Sequence, residues 1–426
     1  MSTYQPMWVE LGLDLKAHDA LLAVLNEAYQ NTFLTQKNRP EGMKYFDFVM
    51  SEVHGLRVQE LMNAKKEKRI VVGSYCVFVP EELILAVDGV SVGLCAGADF
   101  NIEAAERVLP RSVCPLIKSA FGFKMGKVCP YVEASDLVVG ENTCDGKKKA
   151  YEILAPMVPR LHVIDLPQMK SAEGRALLKA EFERFAAVLE DLSGKKIDVE
   201  SLRRAIRRVD AKRSAVHRLS RLRHADPAPI SGLDALLVNQ VFFYDDPERF
   251  TASVIKLADE LEGRVRSGQG VCAAGVPRIL ISGCPMAVPN WKVPAIVESS
   301  GAVIVGEESC VGERGTQWLS GDDGRTLDAL IDRLVDRYLK IDCAVFTPNP
   351  SRLQHVKDMV AACRADGVIH YGLQSCQPYL LESGPVEAAL EGAGVPVLRL
   401  ETDYSQQDTG QIRTRVQAFV ERIGDR

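Results

Sequence analysis

The chain has 426 residues, of which 46% are hydrophobic and 26% charged, so disorder is excluded as its main state and two or three domains with cores of their own are expected. The net charge of −5, from 52 basic and 57 acidic residues, argues against nucleic acid as a partner. No uninterrupted apolar run approaches the roughly 18 residues of a membrane span, and the start MSTYQPMWVELGLDLKAHDA lacks the pattern of a signal peptide. These features predict a cytoplasmic protein that has no membrane association.

The periodicity of the sequence divides the chain into four predicted regions. Residues 1–66 have helical spacing, with a second helix around Tyr45 to Met62, and are predicted to form an N-terminal helical cap. In residues 67–170, helical segments alternate with the strand-like runs IVVGSYCVFV, VSVGLC, DLVVGENTC and LHVIDLP. Residues 171–275 lose the strand pattern and are predicted to be an inserted helical region. Strand runs return in residues 276–426 as RILISGC, GAVIVGEESC, CAVFTPN, DGVIHYGLQSC and VPVLRLETDY.

The two strand-rich regions resemble each other. The sequence RIVVGSYCVFVP at 69–80 aligns with RILISGCPMAVP at 278–289, and later strands correspond as GVSVGLC with GAVIVGEESC and as DLVVGENTC with DGVIHYGLQSC. The predicted fold is therefore α/β, with two Rossmann-like parallel-sheet domains related by internal duplication, a helical cap and an inserted helical region.

Eleven cysteines are unusual for a chain without a signal peptide, because stable disulfides are not expected in a reducing compartment. None forms a C-x-x-C pair, which excludes zinc ribbons. Cys144, Cys284, Cys310 and Cys376 each stand where a strand run ends, and sites in open parallel sheets form outside these strand ends. A single cysteine is more often a small buried apolar residue, but the group predicts a thiol-lined site between two facing domains.

The local sequence favours thiolate ligands. Proline follows Cys114, Cys129 and Cys284, and a helix-like run begins just after Cys144, so backbone N–H groups of helix starts can stabilise negative sulfur. The seven histidines have no metal-ligand spacing to one another. Ligation by sulfur alone favours iron–sulfur clusters.

The runs LPRSVCPLIKSAFGF (109–123) and KVCPYVEASDLVVGENTCDGKKKAYE (127–152), with SGCP, EESC, LQSCQPY and ETDYS further on, carry a family resemblance over nearly the whole chain. The chain resembles the 2-hydroxyacyl-CoA dehydratase component family, also called the benzoyl-CoA reductase subunit family, and within it most closely the double-cubane cluster proteins. The resemblance implies that Cys114, Cys144 and Cys376 hold a [4Fe–4S] cubane with one open iron.

Double-cubane members need six thiolates for two cubanes that share a sulfide. We predict Cys129, Cys284 and Cys310 as the other three metal ligands. The resemblance does not rank them against Cys76, Cys95 and Cys343, which are also well placed and stay open as alternatives.

The resemblance also implies the source of electrons. The sequence contains neither G-x-x-x-x-G-K-[ST] nor a G-x-G-x-x-G that follows a strand, so ATP and nicotinamide are not expected to bind. Instead, a separate ATP-hydrolysing iron–sulfur reductase is implied as the activating partner, and a homodimer as the assembly. The predicted function is an iron–sulfur reductase component whose double-cubane [8Fe–9S] cluster performs low-potential reduction of a small molecule.

Three alternatives remain open at this point. The first is a 2-hydroxyacyl-CoA dehydratase component with a single [4Fe–4S] cluster, and the second is a non-catalytic electron-relay cluster protein. The third is a two-lobed binder of small molecules whose thiols are incidental.

Reduction also requires protons and an electron donor that docks. Glu307, Glu308 and His370 are predicted as catalytic proton donors because they lie near strand-end thiols, and Glu141 belongs to a wider set of candidates. Residues 201–224 carry nine Arg or Lys beside an apolar heptad stripe. This segment is interpreted as a solvated helix face packed on the core or as a docking surface for an acidic partner, with RNA binding a distant third.

Overall fold

The computed structural model describes residues 3–425. Residues 1 and 2 of the predicted cap and residue 426 of the predicted second α/β domain lie outside it. The N-terminal region is helical, as expected. Its helices are α1 (Gln5–Glu10), α2 (Leu15–Tyr29), α3 (Met43–Ser51) and α4 (Leu56–Lys66), with a π-helical turn at Gln30–Leu34.

The second helix predicted for this region is two helices, α3 and α4. In the turn between them, the Val53 carbonyl accepts a hydrogen bond from the Tyr131 hydroxyl, and the His54 carbonyl accepts one from Trp8 Nε1 at 2.7 Å. These carbonyls bond to side chains instead of continuing the helical ladder, so the helix ends there.

The first sheet follows the cap. Its strands are β1 (Val71–Ser74), β2 (Val90–Gly93), β3 (Leu137–Glu141) and β4 (Leu161–Ile164). They are parallel in the order β2-β1-β3-β4, and Val72 of β1 pairs with both Ser91 of β2 and Leu137 of β3. The connecting helices are α5 (Glu81–Ala86), α6 (Ile102–Ala105), α7 (Pro115–Met125), α8 (Pro130–Ala134) and α9 (Asp145–Leu154), with a 3₁₀ turn at Ala155–Met157.

Four helices form the inserted region: α10 (Ala172–Ser193), α11 (Val199–Leu222), α12 (Gly232–Val241) and α13 (Pro247–Arg266). Each begins at a side-chain cap, respectively Ser171, Asp198, Ser231 and Asp246. The apolar stripe predicted along α11 is buried and packs against α13 and α5. The expected helix face is thus confirmed.

The basic face of α11 is mostly paired within the chain. Its ion pairs are Arg203–Glu200, Arg207–Asp322, Arg208–Glu248, Lys212–Glu81, Arg213–Glu82, Arg218–Asp259 and Arg223–Glu307. Lys212, Arg213 and Arg223 are buried. A docking surface for an acidic partner on this helix therefore lacks most of the free positive charge on which the prediction depended.

The second sheet repeats the first. Its strands are β5 (Arg278–Gly283), β6 (Val303–Glu308), β7 (Gly367–Leu373) and β8 (Val397–Thr402), all parallel in the order β6-β5-β7-β8. The helices are α14 (Lys292–Ser299), α15 (Glu313–Thr316), α16 (Leu327–Leu339), α17 (Pro350–Cys363), α18 (Gln377–Glu391) and α19 (Thr409–Gly424). The same strand order in both sheets agrees with the predicted duplication, and the predicted α/β fold with two Rossmann-like sheets is confirmed.

The strand predicted for CAVFTPN is wrong, because residues 343–349 form a loop. Pro348 and Pro350 have no N–H group to donate to a sheet, and Asn349 Nδ2 donates at 2.9 Å to the carbonyl of Cys343, which bends the loop back on itself.

One apolar core joins the two halves. It contains Val72 and Val139 of the first sheet, Ile279 and Ile369 of the second, and much of the helical region. The boundaries after residues 66, 170 and 275 stay predictions, since this core is continuous across them. Among the helices of residues 3–425, none combines the length and apolar character needed to cross a bilayer.

A buried ion pair connects α11 to the first domain, which allows a test of this packing. Arg213 donates to Glu82 of α5 at 2.6 Å and to the Tyr338 hydroxyl at 3.1 Å. Replacing Arg213 by Met leaves a buried carboxylate without its partner, so we expect the free energy of unfolding to fall by about 3–5 kcal/mol.

Urea unfolding followed by far-ultraviolet circular dichroism measures this loss. The matched control is Arg207→Met on the same helix, because Arg207 is 63% exposed in its pair with Asp322. We expect a loss of no more than about 0.5 kcal/mol for the control. Equal losses in the two variants would contradict a structural role for the buried pair.

Candidate functional site

A cavity of about 970 Å³ lies between the two sheets, where the ends of β1, β2 and β3 meet those of β5, β6 and β7. Its size is at the upper end of the range for small-molecule sites. Eight of the eleven cysteines line it: Cys76, Cys95, Cys114, Cys144, Cys284, Cys310, Cys343 and Cys376. The fold therefore brings together thiols from both halves of the chain, as the sequence predicted.

The eight thiols occupy four equivalent pairs of positions in the two domains. Cys95 and Cys310 each lie two residues after the second strand of their sheet, and Cys144 and Cys376 each lie three residues after the third strand. In the same way, Cys76 and Cys284 follow the first strands, and Cys114 and Cys343 lie in the connections before the third strands. Duplication of one thiol-bearing domain explains this arrangement.

Three of these thiols stand at the start of a helix. Cys114, Cys144 and Cys376 are the N-cap residues of α7, α9 and α18. Backbone N–H groups of the first turn lie near each sulfur and lower the pKa of its thiol in part, against the larger effects of burial and of neighbouring thiols. Helix starts stabilise negative charge, so these positions favour thiolate.

The thiols form two groups within the cavity. The first thiol group contains Cys114, Cys144, Cys284 and Cys376. Cys376 is hydrogen-bonded to both Cys114 and Cys284, and Cys144 interacts electrostatically with Cys114.

The second thiol group contains Cys76, Cys95, Cys310 and Cys343. Here Cys310 interacts electrostatically with each of the other three. Each group combines thiols of both domains, so neither site is complete within one domain.

Burial favours the protonated form of four of these thiols in the absence of a metal. It is the largest cause of the raised pKa of Cys76, Cys95, Cys144 and Cys310, and it raises the pKa of Cys95 to about 12. Neutral thiols are weak ligands, whereas a metal ion displaces their protons and binds the thiolates. The donor set is entirely sulfur, which suits iron–sulfur clusters.

Hydrogen bonds between thiols add to this effect in the first group. The bond to Cys376 is the largest cause of the raised pKa of Cys114, followed by burial. For Cys376, the bond with Cys114 lowers the pKa, but the bond with Cys284 and burial outweigh it. Such mutual dependence is expected of thiols placed to share one metal site.

Cys129, one of the six predicted ligands, does not line the cavity. It is the N-cap of the short helix α8, and its buried side chain packs in the apolar core of the first domain. Cys272 and Cys363 also lie outside the lining residues. The structure brings together the other five predicted ligands and adds the three positions that the resemblance had left open.

The predicted proton donors lie behind the cavity wall. Glu307 is bound by Arg223 through two hydrogen bonds of 2.6 and 2.7 Å. The Nε2 atom of buried His370 donates to the Tyr379 carbonyl at 3.0 Å, and burial together with Arg352 lowers its pKa to about 4. Neither residue lines the cavity, so this placement does not support the predicted role.

Glu308 has a different role, since its carboxylate positions the Arg314 guanidinium next to the Cys310 thiol. It accepts a hydrogen bond of 2.7 Å from Arg314 and another from Arg352. Burial alone would raise the pKa of Glu308, but the two arginines lower it to about 2. Arg314 Nη1 in turn lies 3.5 Å from Cys310 Sγ. Glu308 is therefore an ionised residue that positions Arg314, and it does not line the cavity as a proton donor.

The cavity wall carries a different ionisable pair, Lys147 and Glu141. The Nζ atom of Lys147 is bonded to the Glu141 carboxylate and lies 3.4 Å from the Tyr75 carbonyl, while Glu141 Oε2 is buried without a partner. Burial would lower the pKa of Lys147, but Glu141 outweighs it and holds that pKa well above its usual value. Sequence reasoning overlooked Lys147, although its spacing of one helical turn from Cys144 was a usable signal.

Comparison with known proteins agrees with this arrangement. The profile of the family described as 2-hydroxyglutaryl-CoA dehydratase, D-component, matches residues 76–423, which include every cysteine that lines the cavity. The chain belongs to this family. Its resemblance to the 2-hydroxyacyl-CoA dehydratase and benzoyl-CoA reductase components is thereby confirmed, and the protein is a component of an enzyme of this kind.

Several named relatives align along most of the chain. A protein of Escherichia coli K12 named "Putative dehydratase subunit YjiM" is 39% identical over 85% of this chain and 94% of its own length. The (R)-phenyllactyl-CoA dehydratase beta subunit of Clostridium sporogenes is 24% identical over 89% of this chain and 99% of its own length. A subunit of the benzoyl-CoA reductase of Thauera aromatica is 22% identical over 83% of this chain and 91% of its own length.

Proposed function

We propose that this protein is the catalytic component of a low-potential reductase and that its cavity holds a double-cubane [8Fe–9S] cluster. The observation that carries the proposal is the presence of two thiol groups in one cavity, each built from both domains. A single cubane would use the first thiol group alone and would leave the second thiol group without a metal to bind.

Six of the eight thiols are proposed as ligands. Cys114, Cys144 and Cys376 hold one cubane, because all three sulfurs stand at helix starts. In the second group, Cys95 Sγ lies 3.0 Å from the Tyr75 carbonyl oxygen, whose partial negative charge disfavours a thiolate at this position. The other three members, Cys76, Cys310 and Cys343, are therefore proposed for the second cubane.

This assignment replaces two of the ligands expected from the sequence. Cys129 does not line the cavity, and Cys284 Sγ accepts a hydrogen bond from the Leu373 N–H at 3.4 Å while it is also bonded to Cys376. Cys284 then supports the first cubane through hydrogen bonds to sulfur, which tune the potential of such clusters.

A bound cluster would supply single electrons at low potential to a small molecule in the remaining part of the cavity. The chain's own residues would bind that molecule against an apolar wall that includes Val113, Leu116 and Phe243, and would limit the access of water. Lys147 would hold a proton on Nζ for the reduced molecule. A separate ATP-hydrolysing iron–sulfur reductase is proposed as the electron source, and a homodimer as the assembly.

The second candidate function is a 2-hydroxyacyl-CoA dehydratase component with one [4Fe–4S] cluster. It is favoured by the names of the relatives, since the Clostridium sporogenes protein is a dehydratase subunit that aligns over 99% of its length. In this case only the first thiol group would bind iron.

Iron and acid-labile sulfide, counted per chain after anaerobic purification, distinguish the two functions. The double cubane predicts about eight irons and nine sulfides, and the single cubane about four of each. Cys144→Ser and Cys310→Ser should each remove at least half of the iron. The controls Cys129→Ser and Cys272→Ser, which change thiols outside the cavity wall, should retain it.

A Cys310→Ser variant with its full iron content would refute the double cubane and support the dehydratase alternative. If iron is complete but no substrate is reduced by the pre-reduced protein, the electron-relay alternative is supported instead. Colourless protein would favour the small-molecule binder.

The role of Lys147 can be tested separately from cluster binding. Lys147→Met removes the proton at the cavity wall, so we expect the rate of reduction of a small probe such as acetylene to fall by about 10²–10⁴-fold. Iron content should not change, since Lys147 is not a proposed ligand.

The matched control is Lys149→Met, two residues away on the same helix, where the side chain is 66% exposed and pairs with Glu152. This variant should retain the wild-type rate. Loss of iron in Lys147→Met, or equal rates in both variants, would refute proton donation by Lys147.

A further inference from the structure

Outside the cavity, three potential metal ligands converge where helices of the second domain meet α11. They are His224, which follows the end of α11, Glu313, the first residue of α15, and Cys363, the last residue of α17. Their ligand atoms all lie within 4.8 Å of one another. None of the three lines the cavity, so this cluster is separate from the proposed iron–sulfur site.

The distance between two of these ligands already suits a tetrahedral metal. Cys363 Sγ lies 3.4 Å from His224 Nε2. Zinc bonds of about 2.3 Å to sulfur and about 2.0–2.1 Å to nitrogen, at a tetrahedral angle, place these two atoms about 3.6 Å apart. Only small movements would be needed to bind the ion.

Glu313 provides the second and independent observation. Its side chain is 8% exposed, and Oε1 has no hydrogen-bond partner. Arg223 is the cation that interacts electrostatically with this carboxyl group. Arg223 cannot serve as its full counter-ion, because its guanidinium is already engaged by both oxygens of Glu307. A buried carboxyl group without a partner is costly, and a cation would compensate it.

The fold positions the other two ligands through Arg278. This side chain donates to backbone carbonyls at the ends of both α11 and α17, including those of His224 at 3.2 Å and Cys363 at 2.9 Å. It thereby fixes the two helix ends beside each other. Helix C-termini carry partial negative charge, which the positive charges of Arg278 and Arg364 partly offset and which a bound cation would share.

We propose that His224, Glu313 and Cys363 form a binding site for a divalent cation of the zinc type, with water as the fourth ligand. The combination of imidazole, thiolate and carboxylate is typical of zinc. The ion would connect α11 of the helical region to α15 and α17 of the second domain. Because α15 begins three residues after Cys310, it would also fix the segment that carries this thiol.

Zinc analysis of the iron-loaded protein tests the site. Full-length protein, purified anaerobically with its iron, is incubated with one equivalent of zinc chloride and separated from free metal, after which zinc and iron per chain are measured. We expect about one zinc per chain, and at least about tenfold less zinc in Cys363→Ser and in His224→Gln with iron unchanged. Zinc-edge X-ray absorption should show one sulfur and three nitrogen or oxygen neighbours.

The matched control is Cys272→Ser, because Cys272 packs against the same small apolar cluster as Cys363 but is not one of the three ligands. It should bind zinc as the wild type does. The proposal is refuted by a wild-type protein that retains less than about a tenth of an equivalent, by wild-type zinc content in both ligand variants, or by a spectrum with four sulfur neighbours, which would place zinc among the cavity thiols.

If Cys363→Ser loses iron through misfolding, His224→Gln decides the question, since the His224 side chain is only partly buried. Iron is counted in the same samples, so failure of the zinc site and failure of the proposed cluster give different results.

Discussion

Eight thiols gathered in one cavity between the two sheets are the constraint on which the rest of this structure depends. Burial raises the pKa of Cys76, Cys95, Cys114, Cys144, Cys310 and Cys376, and Cys376 is hydrogen-bonded to Cys114 and Cys284. Thiols with a raised pKa stay neutral near pH 7, and their apolar packing alone would be supplied equally well by alanine or valine. The metal cluster proposed above would account for the arrangement, because it would replace the protons and neutralise the thiolates it binds.

The parallel sheets explain how distant residues reach this cavity. In each sheet the first three strands in the chain end at the same edge, and a cysteine follows each of them within three residues. When two such edges face each other, the number of thiols at the site doubles, although each domain uses the same strand-end positions. The shared apolar core holds the edges in place, and buried pairs such as Arg213 with Glu82 connect the helical region to them.

The sequence predicted this framework well because strand runs and strand-end cysteines are local signals. Sequence reasoning failed where two residues share the same local pattern but pack in different places in the fold. Cys129, like Cys114, precedes a proline and caps a helix, yet α8 turns its thiol into the apolar core. Cys343 begins a strand-like run that is in fact a loop, and only the fold shows that its thiol lines the cavity.

The acidic residues show the same limit of sequence reasoning. Glu307 and Glu308 precede a strand-end thiol, so proximity in the sequence favoured them as proton donors. Their environments are set by Arg223, which follows α11, and by Arg314 of α15. The spacing of these residues in the sequence does not reveal either pairing. A run of three lysines after Cys144 is typical of a solvated helix, which is why Lys147 was overlooked.

Each domain places one cation beside the thiols and holds it with a carboxylate from the end of a strand. In the first domain Glu141 of β3 binds Lys147, and in the second Glu308 of β6 binds Arg314. Glu308 is also paired with Arg352, and each carboxylate offsets the charge of its cation. The donor groups of the cation remain oriented toward the cavity, where Arg314 contacts Cys310. Positive donors next to cluster sulfur favour the reduced and more negative state, so these two pairs are the means by which the protein would adjust the potential of a bound cluster.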